Sequence, residues 1–257
     1  MADSTGTLTV KVPGYPQPIQ FTDWTHDQLY HTVQFQAGNT NEVQAFIGGI
    51  GASIPNGTRV LSLVDTNIPR SGDNGLSEGW EALVYSIQIQ IVREWAVASN
   101  GQPQLVDTPL TGGPPATAGQ LSRPAHTGGG DPAYLAGGAL FDFLRKTYVR
   151  FTVNQKIQSE APAEKYPQGS GISVFGTTTD LEVANNGIPS PRDARAFVLP
   201  IWLRANIAYV CKLSPQAAYA TLGNGLTDWI GAAHIVNPNF GFDVRVDLVG
   251  LIKRPVT

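Results

Sequence analysis

The sequence predicts an all-β protein built from antiparallel sheets, and three observations carry that prediction. Apolar and polar side chains alternate with a period of two over several segments, which is the pattern of strands that bury one face. Glycine (28 residues) and proline (19 residues) are abundant, as turns and sheet edges require. Hydrophobic residues make up 42% of the 257 positions, which is enough for a full core.

Strands in the amino-terminal half follow from this alternation. The clearest pattern covers 83–95, where five apolar residues occupy one face while Ser86, Gln88 and Gln90 occupy the other. Such a strand buries one face and leaves the other in water or against a polar neighbour. The remaining candidates in this half are 8–12, 17–22, 28–36, 42–49 and 58–64.

Strands in the carboxyl-terminal half are predicted from three longer runs. They cover 149–157, 240–248 and 197–213, the last with bends at Pro200 and at 205–206. Shorter candidates lie at 172–177 and 230–236. The whole chain is therefore expected to hold about 10–12 strands, joined by turns rich in glycine and proline.

Helices are predicted at only a few positions. Asp131-Pro132 combines an N-cap residue with proline at the first helical position, so it opens a helix over 133–146. Ser214-Pro215 begins a second, short helix that continues to Leu222. The segment 77–81 is predicted to form one further helical turn.

The segment 99–132 differs in composition from the rest of the chain. It contains six prolines together with Gly112–Gly113 and Gly128–Gly130, so it cannot supply a central strand. We expect a linker or an exposed loop there. The chain is accordingly divided into a first half at 1–98 and a second half at 133–257.

Charge and cysteine content exclude several classes of protein. The formal net charge is −3 and no basic cluster exceeds a pair, so direct nucleic-acid binding is not expected. The single cysteine, Cys211, allows no intrachain disulfide and is expected to be a small buried apolar residue. The segment Met1–Lys11 does not have the pattern of a signal peptide, and no apolar run reaches the ~18 residues of a membrane-spanning helix.

The four histidines do not follow a metal-ligand pattern. His26 and His31 are five residues apart and fall on opposite faces of a strand, while His126 lies in the 99–132 segment and His234 stands among apolar residues. All four are interpreted as surface or lightly packed residues. No nucleophile elbow, phosphate-binding loop or Cys-x-x-Cys motif occurs, so we predict no catalytic residue, no metal site and no cofactor.

Acidic and aromatic residues leave two alternatives open. Glu78 and Glu81 flank Trp80, an arrangement that an all-β glycoside hydrolase could use, although the first turn of a short helix explains it equally. A carbohydrate-binding or receptor-binding β-sandwich is the other alternative. It predicts that Trp80 or Trp24 is exposed beside aspartate and asparagine side chains.

The polar faces of the predicted strands favour a structural protein. They are rich in glutamine, threonine, asparagine and serine, which cost less to bury against a neighbour than charges do. Asp243, Arg245 and Asp247 are the exception, and we interpret them as a charge ladder on the solvent face or at a subunit contact. A weakly charged chain of this kind is suited to dense self-association.

Three segments of the chain carry a resemblance to a known family. The first is Asp65-Thr-Asn-Ile-Pro-Arg-Ser-Gly-Asp-Asn-Gly-Leu, followed by Gly79-Trp-Glu-Ala-Leu-Val-Tyr-Ser-Ile-Gln-Ile. The others are Leu199-Pro-Ile-Trp-Leu-Arg-Ala-Asn and the ending Val244-Arg-Val-Asp-Leu-Val-Gly-Leu-Ile-Lys-Arg-Pro-Val. Together they cover roughly a fifth of the chain. They resemble the jelly-roll major capsid proteins of tailless icosahedral bacteriophages, of the double jelly-roll lineage.

The resemblance implies a jelly-roll β-sandwich with two jelly rolls in tandem. A single jelly roll with long insertions is the alternative. In the tandem arrangement 1–98 is the first jelly-roll half, 99–132 the linker or exposed loop, and 133–257 the second half. The implied function is that of a structural viral protein without enzymatic activity, a major capsid protein that assembles through homotrimers into an icosahedral shell.

The resemblance also implies partners and a location. The partners are other copies of the chain, other capsid proteins and, in phages of this type that contain one, an internal membrane. The protein is made in the host cytoplasm and resides in the virion. We expect subunit contacts at two places that combine charge, rigid backbone and exposure, although ordinary surface loops would look the same. These are the loop with Asn67, Pro69 and Arg70, and the tail with Lys253, Arg254 and Pro255.

Overall fold

The computed structural model describes most of the strands predicted above. The described residues are 9–20, 22–36, 41–57, 59–68, 75–97, 103–105, 144–170, 173–175, 183–185, 188–189, 196–215 and 240–255. Within them lie a 3-10 helix at Ala163–Lys165, a helical stretch at 144–146 and fifteen strands. The strands are β1 (Thr9–Val10), β2 (Ile19–Gln20), β3 (Trp24–Gln36), β4 (Val43–Ala45), β5 (Glu81–Val97), β6 (Pro103–Leu105), β7 (Thr147–Val153), β8 (Lys156–Pro162), β9 (Gly169–Ser170), β10 (Ser173–Phe175), β11 (Val183–Asn185), β12 (Ile188–Pro189), β13 (Ala196–Leu203), β14 (Tyr209–Pro215) and β15 (Phe240–Lys253).

All pairs of these strands are antiparallel, and the prediction of an all-β protein is confirmed. The larger sheet has five strands in the order β13-β5-β15-β3, with β6 paired to the far end of β5. A register shift separates Val249 from Gly250 on β15. A Cβ at Gly250 would lie 1.9 Å from the carbonyl oxygen of Leu83, so only glycine allows the strands to approach this closely.

The second sheet has four strands in the order β4-β14-β7-β8. Burial alternates along β4, β7 and β14, and in β14 the residues at the parity of Tyr209, Cys211 and Leu213 are buried. The buried position of Cys211 confirms the prediction for that residue. Three further sheets are two-stranded: β1 with β2, β10 with β11, and β9 with β12.

One apolar core lies between the two large sheets. The inner face of the five-stranded sheet contributes Val33, Ile87 and Val246, and the four-stranded sheet contributes Phe151 and Leu213. Because apolar residues from both sheets share this cluster, the sheets form a β-sandwich. At 25 cal/mol per Å² of buried apolar surface, core side chains of this size stabilise the fold by about 1.5–3 kcal/mol each.

The two predicted halves of the chain share both large sheets. In the larger sheet β3 and β5 come from 1–98, whereas β13 and β15 come from 133–257. In the smaller sheet β4 comes from the first half and pairs with β14 of the second. The described strands of both halves thus build one common core. Of the predicted linker 99–132, the structure describes only β6.

The prediction of an unbroken strand over 149–157 is wrong. The chain reverses at Asn154 and Gln155, whose φ angles are 47° and 65°, and β8 then pairs back onto β7. Two consecutive residues with positive φ form the type of tight turn that matches the twist of a hairpin. Val153 and Ile157 both occupy apolar positions of the same alternation. The pattern therefore continues across the turn, and the turn is not visible in the sequence.

Several other predicted boundaries also change. Ser214-Pro215 belongs to β14 and does not begin a helix there, and 216–222 lie outside the described residues. The run 197–213 is divided into β13 and β14 near Asn206, which has a φ of 59°, so the predicted bend at 205–206 is confirmed. The segment 77–81 is a turn that leads into β5, and the predicted strand 58–64 is a loop held by one isolated bridge.

Candidate functional site

The loop formed by residues 46–68 lies along the outer edge of β3, and we call it the edge-covering loop. The main-chain N–H of Thr32 donates to the carbonyl oxygen of Asp65 (2.9 Å), and that of Gln34 donates to the carbonyl oxygen of Pro55 (3.1 Å). Thr66 Oγ1 donates to the carbonyl oxygen of Tyr30 (3.0 Å). These bonds satisfy backbone groups that an edge strand otherwise leaves open to another chain.

Asn67, a predicted subunit-contact residue, belongs to this loop. Its Oδ1 accepts from the N–H of Tyr30 at 2.9 Å, and its Nδ2 donates to the carbonyl oxygen of Gln28 at 2.6 Å. The half-buried side-chain amide therefore replaces one residue of a neighbouring strand. Pro69 and Arg70, the other two predicted contact residues in this loop, lie outside the described residues.

The predicted contact residues of the tail lie at the start of β5. Arg254 pairs with Asp27 and stacks over the ring of Trp80, 5.2 Å from its centroid. Lys253 Nζ lies 3.9 Å from Glu81 Oε1. Arg254 and Pro255 are exposed, so the structure leaves them accessible at the end of the sheet.

Arg59 ties the edge-covering loop to the five-stranded sheet. Its Nη1 donates to Asp65 Oδ2 at 2.6 Å, and its Nη2 donates to Asp243 Oδ2 at 2.7 Å. Gln34 Nε2 adds a bond to Asp243 Oδ1 at 3.3 Å. Only 25% of the Arg59 side chain and 1% of the Asp243 side chain are exposed. One guanidinium therefore neutralises two carboxylates in a largely desolvated position.

The electrostatics of Asp65 follow from this arrangement. Burial alone would raise the pKa of Asp65, but the Arg59 guanidinium and the N–H and hydroxyl of Ser62 outweigh it, and the pKa lies below its usual value. Ser62 Oγ donates to Asp65 Oδ2 at 2.7 Å, and the Ser62 N–H donates to the same oxygen at 3.0 Å. Asp65 is therefore an ionised anchor of the loop.

Asp247 forms a second buried polar group on the same face of the sheet. Gln90 Nε2 donates to Asp247 Oδ2 at 2.7 Å, and Arg245 Nε lies 3.2 Å from Asp247 Oδ1. Burial raises the pKa of Asp247 against the opposing effects of Arg245 and Gln90. Because Asp243 and Asp247 are both buried, the interpretation of a charge ladder on the solvent face is wrong. The sequence could not reveal that Arg59, far away along the chain, would pair with Asp243.

His31 corrects the interpretation of the histidines as surface or lightly packed residues. Its side chain is fully buried beside Phe46, with ring centroids 5.8 Å apart. Nε2 lies 3.2 Å from the carbonyl oxygen of Ile47, and Nδ1 has no hydrogen-bond partner within the described part of the chain. Burial lowers the pKa of His31 to about 4, despite the carbonyl groups of the loop and the charge of Asp65. His26 is exposed as expected, and His126 and His234 lie outside the described residues.

Glu81 and the tryptophans bear on the enzymatic and carbohydrate alternatives. Glu81 Oε2 accepts from Tyr15 OH (3.1 Å) and from Trp202 Nε1 (2.9 Å), so this carboxylate is held in a polar cluster of the fold. Burial and Glu81 raise the pKa of Tyr15 to about 12. Trp24 is buried, and the guanidinium of Arg204 lies 3.7 Å from the ring centroid of Trp202. That stacking occupies a ring face on which a sugar would pack.

Two sets of exposed apolar side chains are the features that sequence reasoning missed. The loop patch comprises Val60, Leu63 and Val64 of the edge-covering loop, with 58%, 67% and 68% of each residue exposed. The strand patch comprises Val198 and Leu199 of β13, with exposures of 98% and 58%. Both runs are predicted as strands from the sequence, at 58–64 and within 197–213. The signal available in the sequence is that 60–64 and 196–203 contain no charged residue.

No group of three or more histidine, cysteine, aspartate or glutamate residues is placed to hold a metal ion in the ranges that the structure covers. Within the same ranges, no helix has both the length and the apolar character to span a bilayer. Comparisons with protein-family models, with curated proteins and with solved structures found no match.

Proposed function

We propose that this chain is a structural viral protein, a single jelly roll that self-assembles as the major capsid protein of a tailless icosahedral bacteriophage. The observation that carries the proposal is the strand order. Eight strands build the two large sheets, apart from the short β6. In chain order they are β3, β4, β5, β7, β8, β13, β14 and β15.

The pairing of these eight strands supports a jelly roll. The first pairs with the eighth (β3 with β15), the second with the seventh (β4 with β14), the third with the sixth (β5 with β13) and the fourth with the fifth (β7 with β8). A long antiparallel ribbon that is folded at its middle and wrapped into two sheets has this pairing. Jelly rolls of eight strands are frequent in viral capsid proteins and in lectins.

The sharing of both sheets favours one jelly roll over two in tandem. Each sheet takes strands from 1–98 and from 133–257, so neither segment supplies a complete sandwich of its own among the described strands. The single jelly roll with long insertions is therefore the form that we propose. The segments between its strands, including 99–132, are the insertions.

Self-assembly agrees with the surface chemistry of the described residues. The ion pairs of the buried carboxylates form within the chain. Arg59 binds Asp65 and Asp243 and so holds the loop against the sheet. Exposed apolar side chains occur at two edges of one sheet, which is typical of surfaces that contact another protein. We extend the proposal to homotrimeric capsomers, to contacts with other capsid proteins and to residence in the virion.

Light scattering after size exclusion tests the proposal on the full chain at increasing concentration, alone and with the capsid proteins encoded beside it. A trimer of about 82 kDa, three times the 27.4 kDa of one chain, or a megadalton shell would support it. A 27.4 kDa monomer under all of these conditions would contradict it. A glycan array in parallel tests the carbohydrate-binding alternative, since binding by such a monomer would favour a lectin-like role.

A further inference from the structure

The loop patch and the strand patch lie at opposite edges of one sheet. The edge-covering loop follows the outer side of β3, and β13 is the strand at the other end of the order β13-β5-β15-β3. At ~4.8 Å between neighbouring strands, about 14 Å of sheet separates the two edge strands. Each copy of the chain therefore presents one exposed apolar surface on each lateral side.

The strand register places the two patches a few residues apart along the strand direction. Ala196 of β13 pairs with Ser86, Ser86 pairs with Val249, and Val249 pairs with Gln28 of β3. Asn67 of the edge-covering loop binds the carbonyl oxygen of the same Gln28. Val198 and Leu199 lie between Ala196 and Ile201, and Ile201 is level with Asp27 through Val84 and Gly250. Leu63 is bound by Tyr30, on the other side of Gln28. A contact between the patches would thus join copies side by side with an offset of about two to three residues, or roughly 7–10 Å along the strands.

The loop patch is held in place before any partner arrives. Tyr30 OH donates to the carbonyl oxygen of Leu63 at 2.6 Å, and Ser62, Asp65 and Arg59 form the bonds described above on either side. A surface that is already ordered loses less conformational entropy when it binds. The nearest charges, Arg59 and Asp65, are paired internally, so they do not oppose burial of Leu63 and Val64.

We infer that the strand patch of one copy packs on the loop patch of the next copy in a head-to-tail contact. This inference rests on the proposed function, because it names the partner as a second copy of the chain. Two different patches on opposite sides of one molecule form a heterologous interface, whereas a two-fold contact uses one patch twice. Repetition of a heterologous contact closes a ring when the rotation between copies allows it.

The irregular backbone of β13 explains why the contact uses side chains. The pairing of β13 with β5 shifts between Ala196 and Ile201, and Pro200 within this interval has no N–H to donate. A continuous strand addition at this edge is therefore blocked. Val198 and Leu199 remain free to pack against the apolar side chains of the loop patch.

Two charge-bearing double variants test the inference. One is Val198→Asp with Leu199→Asp, and the other is Leu63→Asp with Val64→Asp; Ile157→Asp, at an exposed apolar residue of β8, is the matched control. We expect each double variant alone to self-associate at least tenfold more weakly than the wild type. An equimolar mixture of the two should form a dimer of about 55 kDa through the one intact pair of patches, while the control assembles as the wild type does.

The outcomes separate this inference from the proposed function. If the wild type assembles and both double variants assemble equally well, the head-to-tail contact is refuted while the capsid role stands. If both variants are monomeric and their mixture remains monomeric, the pairing of these two patches is refuted as well. If the wild type itself is monomeric in the presence of its neighbouring capsid proteins, the proposed function fails. Circular dichroism of each variant, together with Leu63→Ser and Val198→Ser as milder changes, ensures that folded proteins are compared.

Discussion

The two lateral edges of the five-stranded sheet are protected in different ways. At β3, the edge-covering loop bonds the backbone of Gln28, Tyr30, Thr32 and Gln34. At β13, the chain instead places a register shift and Pro200, and it leaves large apolar side chains exposed. Both devices prevent uncontrolled strand pairing, which is a hazard for any exposed edge. One edge is thus closed by backbone bonds within the chain, whereas the other, among the described strands, ends at β13 with apolar side chains exposed.

Among the variants considered, we expect replacement of Arg59 to reduce the free energy of unfolding the most. Arg59→Met removes the cation that Asp65 and Asp243 share, so both buried carboxylates lose their ion pair with Arg59. We expect the free energy of unfolding to fall by about 4 kcal/mol, in the range measured when one partner of a buried ion pair is removed. Urea denaturation at pH 7 measures the change.

Arg150→Met is the matched control for this experiment. Arg150 forms an ion pair with Glu160 on β7 and β8, but about half of its side chain is exposed. Exposed pairs contribute less than about 1 kcal/mol, so this variant should be nearly as stable as the wild type. Equal losses for both arginines would refute the role of Arg59 as the anchor of the loop.

The free energy of unfolding is also expected to depend on pH through the buried His31. The pKa of His31 is about 4 in the folded protein because of burial, and it returns to the ordinary value of 6.5 on unfolding. As the pH falls from 6.5 toward 4, the unfolded chain binds a proton that the folded chain does not, so stability decreases over this window. A difference of this size corresponds to about 3 kcal/mol.

The variant His31→Gln isolates this contribution, because glutamine does not titrate. The wild type should lose about 3 kcal/mol more than His31→Gln between pH 6.5 and pH 4, measured by urea denaturation at each pH. His26→Gln, at an exposed histidine of the same strand, should keep the wild-type slope. If the free energy of unfolding depended on pH in the same way for the wild type and His31→Gln, the buried His31 ring would not be the source of the pH dependence.

The smallest effect concerns Asn67. Asn67→Ala removes one acceptor for the Tyr30 N–H and one donor to the Gln28 carbonyl group. We expect a loss of about 1–2 kcal/mol in the free energy of unfolding, together with faster amide exchange at Tyr30. The amide of Val246, inside the ladder between β15 and its neighbours, serves as the internal reference. Unchanged protection of Tyr30 would show that the loop closes this edge without Asn67.

Local alternation made much of the β-structure predictable. The apolar side chains of β3, β5 and β15 share one face of each strand, and the period of two in 28–36, 83–95 and 240–248 indicated this directly. The hairpin between β7 and β8 was missed because Asn154 and Gln155 lack the glycine that usually marks such a turn. Alternation also says nothing about which strands pair, and the strand order came only from the structure.

Long-range contacts made the candidate site less predictable. Arg59 is 184 residues from Asp243, and no local pattern couples a loop cation to an aspartate on the last strand. The apolar run at 60–64 looked like a strand, yet only Leu61 of its apolar residues is buried. Burial depends on what covers a residue from elsewhere in the fold. Asn67 is predicted as a subunit-contact residue, and the bonds that the structure gives its side chain are to β3 of its own chain.

The closed edge at β3 and the contact between the two patches can be tested together by amide hydrogen exchange, compared between unassembled and assembled protein. We expect the amides of Tyr30, Thr32 and Gln34 at the covered edge to be protected in both states. The amides at 198–199 of β13 and at 63–64 of the loop patch should become protected only on assembly. Assembly that leaves both patches exchanging as fast as before would contradict the head-to-tail contact between the strand patch and the loop patch.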